Sequence, residues 1–160
     1  MAHTEKDIGN ADYVQTYETT CHQHTCIPRI GCVDYDTPCI KTRKLTAYFT
    51  LVADFPDDAT KEQQAQIIFC AATAATAGYT IAVSTYTVRA PVVGAVLAAA
   101  EAANLALGVC RQTFDTCISS LPDDVKNRVG IAVHHRIEEN YFVNYSGYCY
   151  PYPFFYSPWF

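Results

Sequence analysis

Residues 63–110 read QQAQIIFCAATAATAGYTIAVSTYTVRAPVVGAVLAAAEAANLALGVC, and in these 48 positions the only charged side chains are Arg89 and Glu101. Residues 63–88 carry no charge at all, and a second apolar run follows the break at Arg89-Ala90-Pro91. Two apolar segments of this length joined by a short break describe a helical hairpin buried in protein or in lipid. The frequent Ala, Gly and Thr suit close helix-on-helix contact. One part of the run is ambiguous. Between Tyr79 and Val88 the residues Thr80, Ile81, Val83, Thr85, Thr87 and Val88 are β-branched, and a strand there makes the fold α+β. The unbroken uncharged run favours continued helix instead.

Working outward, residues 44–55 (KLTAYFTLVADF) alternate with period two. Leu45, Ala47, Phe49, Leu51, Ala53 and Phe55 fall on one face and Thr46, Tyr48, Thr50 and Val52 on the other, the pattern of a strand. Pro56-Asp57-Asp58 and Pro122-Asp123-Asp124 are helix-start signals, because an Asp there accepts bonds from unpaired N–H groups and favours the positive end of the helix dipole. The expected helices run from about Asp58, from Pro91 to about Ser120, and from Asp123 to about Glu139, with Pro91 at a first helical position. If the hairpin turns near Ala90, Cys70 and Cys110 stand level on antiparallel helices and can pair. Cys110 and Cys117 lie seven positions apart on one helix, beyond disulfide reach. Cys117 therefore looks to Cys149 or to an arm cysteine.

The expected fold class is mainly α: an antiparallel Ala-rich helical hairpin, a third helix, a minor β element at about 44–55, and extended N- and C-terminal arms. The organisation is a single domain of 160 residues, with a Cys-rich arm (1–43), a helical body (44–140) and an aromatic tail (141–160). A chain of this length buries roughly two thirds of its unfolded surface without crosslinks.

The chain nevertheless holds eight cysteines. Four of them, Cys21, Cys26, Cys32 and Cys39, lie in the arm, where Pro28, Gly31, Pro38, Asp34 and Asp36 favour turns over regular structure. Disulfides are the expected use, with at least two of these four oxidised. A zinc site drawn from Cys21, His22, His24 and Cys26 is the alternative, and it lacks a C-x-x-C knuckle. Cysteine usage points to an extracellular or cell-surface location, although MAHTEKDIGNADYVQ has neither the basic start nor the apolar core of a secretory signal.

The formal net charge of −5, with no basic run, argues against nucleic-acid binding. No nucleophile elbow, zinc-protease, phosphate-loop or dinucleotide motif is present, so no enzymatic activity and no cofactor are expected. His134, His135, Glu138 and Glu139 read as a charged, solvated helix end. The tail, YFVNYSGYCYPYPFFYSPWF, is aromatic at 11 of 20 positions. Its prolines favour an extended ribbon whose rings need a surface to cover them. Tyr150, Tyr152, Phe154, Phe155, Tyr156, Trp159 and Phe160 are the candidate assembly residues.

Two functional readings follow, with a third behind them. The first is a non-enzymatic structural protein, a homo-oligomer assembled through its arms with copies of itself, whose tail resembles in composition the Tyr- and Pro-rich segments of coat and fibre proteins. The second is a membrane-active or pore-forming protein that inserts the 63–110 hairpin, which resembles in outline the hydrophobic helix pair of colicin pore domains but is richer in Ala and Thr. A zinc-dependent binding module is the third.

Overall fold

The computed structural model describes residues 1–144, with side chains through residue 140. Its elements are β1 (Ala2–Ile27), β2 (Gly31–Phe55), α1 (Lys61–Val93), α2 (Ala95–Cys117), α3 (Asp123–Lys126) and β3 (Gly130–Asn144). The three strands form one antiparallel sheet in the order β1-β2-β3. The fold is therefore α+β, which corrects the mainly α expectation. The correction does not come from Tyr79 to Val88, which is helical. It comes from the N-terminal arm, most of which is strand, and from the segment after Lys126, which is strand rather than a third long helix.

Both departures have physical causes. Along β1 covered residues alternate with exposed ones, with a shift of phase between Ile8 and Ala11, but the part-buried set includes Thr4, Lys6, Gln15 and Tyr17, so the alternation is not one of apolar against polar. The strand signal in sequence is an apolar face, and this one is amphipathic only weakly. After α3, Asn127 and Gly130 interrupt the helix, and Ile131, Val133 and Ile137 then share one side of β3 at even spacing.

The described residues form two compact units, residues 1–13 with 46–138, and residues 14–45 with 139–144. In the first unit Leu51, Ala47, Phe49 and Ala53 on one face of β2 are fully buried. The Phe49 ring meets Tyr86 of α1 edge to face, with centroids 6.4 Å apart. The helices start and stop on local signals. Thr60 caps α1 in a reciprocal box: Gln63 N–H donates to Thr60 Oγ1 at 3.2 Å, and Thr60 N–H donates to Gln63 Oε1 at 2.9 Å. The cap is thus Thr60, two positions after the expected Asp58.

Helix α1 continues through Pro91 for most of a further turn and ends at Gly94, whose φ of 90° is a conformation that side-chain-bearing residues rarely adopt. Pro91 is therefore inside α1 and not at the start of the next helix. The facing surfaces are built from small residues: Ala71, Ala74, Gly78 and Ala82 of α1, and Ala98, Ala99, Ala102 and Ala106 of α2, are all buried. On the outer surface Thr73, Thr76, Ser84, Thr87 and Thr116 each donate a hydroxyl hydrogen bond to the carbonyl four residues earlier. That satisfies the hydroxyl within the helix and lets a Thr-rich, β-branched sequence remain helical.

Candidate functional site at the hairpin end

The second unit is dominated by the outer half of the β1-β2 hairpin. The strands reverse over Pro28, Arg29 and Ile30, closed by a hydrogen bond from Ile30 N–H to the Ile27 carbonyl at 3.1 Å. Arg29 and Gly31 both have positive φ, 71° and 115°, which sets the sense of the reversal.

Behind the turn the register is fixed by covalent and polar pairs that advance by equal steps on both strands. Cys26 bonds Cys32, with Cα atoms 3.9 Å apart. Two residues further back His24 Nδ1 contacts Asp34 Oδ1, and two further His22 Nδ1 lies 3.3 Å from Asp36 Oδ1. These six residues share one face, because alternate strand residues point the same way. The opposite face carries Thr25 Oγ1 against Tyr35 Oη at 3.1 Å and the Cys21–Cys39 disulfide, with Cα atoms 5.7 Å apart. Each face of the ribbon thus has its own covalent staple. Further from the turn, Arg43 donates to Gln15 Oε1 at 2.7 Å and lies over the Tyr17 ring at 5.9 Å.

Sequence reasoning singled out Cys21, His22, His24 and Cys26 for a zinc site. The structure divides that set: Cys21 is on the far face and bonded to Cys39, while His22, His24 and Cys26 lie together. It also supplies two partners that the sequence did not suggest, Asp34 and Asp36, whose local context points only to turns. His24, Cys26 and Cys32 bring ligand atoms within 4.8 Å of one another, although the two sulfurs are joined.

No family model, curated protein or solved structure matches this chain.

The remaining cysteines correct the expected pairings. Cys70 bonds Cys117 across α1 and α2, with Cα atoms 5.6 Å apart, and Cys110 is a buried free thiol that donates to the Ala74 carbonyl at 3.2 Å. The expected Cys70–Cys110 pair fails because the turn is at Gly94 and not near Ala90, which moves the residue level with Cys70 toward the end of α2. Cys117 accordingly needs neither Cys149 nor an arm cysteine. Cys149 and the tail residues Tyr150, Tyr152, Phe154, Phe155, Tyr156, Trp159 and Phe160 lie outside the described residues. The three disulfides among the described residues fit an oxidising environment.

The expected helix end that carries His134, His135, Glu138 and Glu139 is strand β3, so His134 and His135 take opposite faces. Nearby, Arg136 stacks over the Tyr48 ring at 4.2 Å and pairs with Glu138. The Arg136 hydrogen bond holds Glu138 below the usual carboxylate range, while desolvation and the Glu138 charge push the Tyr48 hydroxyl up. The two charges of the apolar run find each other: Arg89 Nε donates to Glu101 Oε1 at 2.9 Å, across the end of the helical hairpin.

Proposed function

We propose that this is a non-enzymatic structural protein of extracellular or cell-surface location that associates with copies of itself through its terminal arms. What supports the reading is the hairpin between residues 14 and 45. It is stapled on both faces, yet Ile27, Ile30, Val33, Tyr35 and Ile40 on it are exposed, Ile30 to 78%. Covalent clips lower the ordering cost of an exposed ribbon, and apolar side chains held out by it are available to a partner. Strand β1, at the edge of the sheet, offers a further surface for strand addition. The aromatic tail is the second arm in this proposal.

Particle size in dilute buffer, by light scattering coupled to gel filtration, tests it. The oxidised chain is expected as an oligomer that becomes smaller on replacing Ile27, Ile30 and Val33 with Ser, or on deleting residues 150–160. An oxidised wild-type chain that remains monomeric at high micromolar concentration rejects the proposal.

A membrane-active role is the second reading, favoured by one observation. Helix α1 is long and apolar enough to cross a bilayer, and around Gly94 the side chains of Val88, Val92, Val96 and Leu97 are all more than half exposed. Buried helices of soluble proteins share that length and composition. Binding to anionic liposomes that is lost on replacing Val92, Val96 and Leu97 with Ser, without any change of particle size, selects this reading over the first.

A further inference from the structure

One face of the hairpin gathers His22, His24, Asp34 and Asp36, two imidazoles and two carboxylates of the donor types a divalent metal takes. We infer that one zinc ion is held by His22 Nε2, His24 Nδ1 and the Asp34 carboxylate, with Asp36 as the outer carboxylate that orients His22. The placement of Asp34 comes first. Its Oδ1 is in contact with His24 Nδ1 and lies 3.9 Å from His22 Nε2, so one carboxylate oxygen stands between a nitrogen of each imidazole. Nitrogen and oxygen donors about 2.0–2.2 Å from a tetrahedral zinc are separated from each other by roughly 3.4 Å. Binding therefore requires the two imidazoles to turn toward Asp34 until all three donors reach that spacing.

The outer group is equally specific. His22 Nδ1 lies 3.3 Å from Asp36 Oδ1, and donation of its N–H to that carboxylate leaves Nε2 as the lone-pair nitrogen turned toward Asp34. A carboxylate behind a metal-bound imidazole fixes the tautomer and raises ligand basicity. The scaffold adds preorganisation. His22 and His24 are successive same-face residues on β1, Asp34 and Asp36 are their counterparts on β2, and the Cys26–Cys32 bond clamps the next pair toward the turn. Two carboxylates beside two imidazoles make the patch attractive to a cation. Three protein donors leave a fourth position for water or an external ligand.

The neighbouring set His24, Cys26 and Cys32 is a different site. Its sulfurs become thiolate donors only after a dithiol reductant takes up the disulfide, leaving two cysteine thiols and an oxidised dithiol. The inferred site needs no reduction, and this separates the two.

The test uses the full chain with its disulfides intact, verified by non-reducing peptide mapping, titrated with zinc chloride by calorimetry. One equivalent is expected. His22→Ala and His24→Ala each weaken binding at least about tenfold, Asp36→Asn weakens it about 10- to 100-fold, and the double change His134→Ala with His135→Ala leaves it unaltered. Imidazole nitrogen NMR shifts on zinc addition should mark Nε2 of His22 and Nδ1 of His24. If a histidine variant fails to form Cys26–Cys32, Asp34→Asn, nearly unchanged in volume, decides the question in the same titration by weakening binding or leaving it intact. Wild-type protein that takes up no zinc, affinity unchanged in both histidine variants, or zinc uptake only after reduction overturns the inference. The last outcome assigns the ion to His24, Cys26 and Cys32.

Discussion

The Cys110 sulfur lies directly over Gly78, so close that a Cβ added to Gly78 would stand 2.5 Å from it. Gly78 and Cys110 are equally distant in sequence from Gly94, on α1 and α2 respectively, and their contact is where the two helices come together across a residue without a side chain. An Ala in place of Gly inside a helix ordinarily stabilises by about 1 kcal/mol. Here the sign reverses. Gly78→Ala is expected to destabilise by about 1–3 kcal/mol, because the sulfur is fully buried and must be displaced. Cys110→Ala removes the obstructing atom, so Gly78→Ala should be tolerated in that background. A double-mutant cycle in urea checks the coupling, and additive effects contradict it.

The same thiol governs alkaline stability. Burial pushes Cys110 up from 9.0 to about 11, partly offset by a backbone hydrogen bond with Gly78. A group whose folded pKa is raised contributes stability that is complete below its unfolded value and is lost as pH rises through the folded one. Unfolding midpoints should therefore fall between pH 9 and pH 11. Tyr86, pushed up to about 12 chiefly by burial, extends the fall from pH 10 upward. Cys110→Ala should flatten the first part of the profile and leave the second. A midpoint constant from pH 8 to pH 11 in the wild-type chain contradicts this account.

The helical hairpin was legible because its signal is an absence of charge over a long run, and burial of Ala-rich faces on α1 and α2 is what that absence allows. The inner part of β2 was legible for the complementary reason: one full face is apolar, and Ala47, Phe49, Leu51 and Ala53 are completely buried. The outer hairpin carried no such signature, since residues 22–36 are mostly exposed on both faces and are held by backbone pairing and disulfides instead of a core. Nor did the sequence bring Asp34 and Asp36 to His22 and His24. That juxtaposition depends on register, and register follows from the turn over Pro28, Arg29 and Ile30, where the proline by itself signals only a break in structure. Once the turn is placed, the alternation of His22, His24 and Cys26 against Cys32, Asp34 and Asp36 is visible in the letters alone.

The position of the helical turn offers a separate check. Gly94 has a φ of 90° and no neighbour that an added Cβ would meet, so substitution there acts through the backbone alone. Gly94→Ala is expected to cost about 1–2 kcal/mol, and Gly94→Val more, from the strain of holding a side chain at positive φ. Ala90→Gly tests the rejected alternative. Ala90 is buried within α1, so its replacement should destabilise as an interior helix position does, by about 1 kcal/mol, and should not ease the turn. A stabilising Ala90→Gly points to a chain reversal at that position.

The three disulfides should differ in what they contribute, because a crosslink restricts the unfolded chain more when it closes a longer loop. The separations are 6 residues for Cys26–Cys32, 18 for Cys21–Cys39 and 47 for Cys70–Cys117. On the chain-entropy relation they stabilise by about 2, 3 and 4 kcal/mol respectively, an upper range where the native geometry is unstrained. Paired Cys→Ser replacements, measured by urea unfolding, should preserve that ranking in the global transition if the units unfold together. If residues 14–45 open on their own, loss of Cys21–Cys39 or Cys26–Cys32 should leave the main transition in place and increase amide exchange only along the outer hairpin. Loss of Cys70–Cys117 should lower the main transition in either case, since it ties the start of α1 to the end of α2 around a common buried core. A main transition unmoved by Cys70→Ser with Cys117→Ser contradicts the pairing, and free reactivity of Cys70 or Cys117 toward iodoacetamide in the unreduced, denatured chain does so independently.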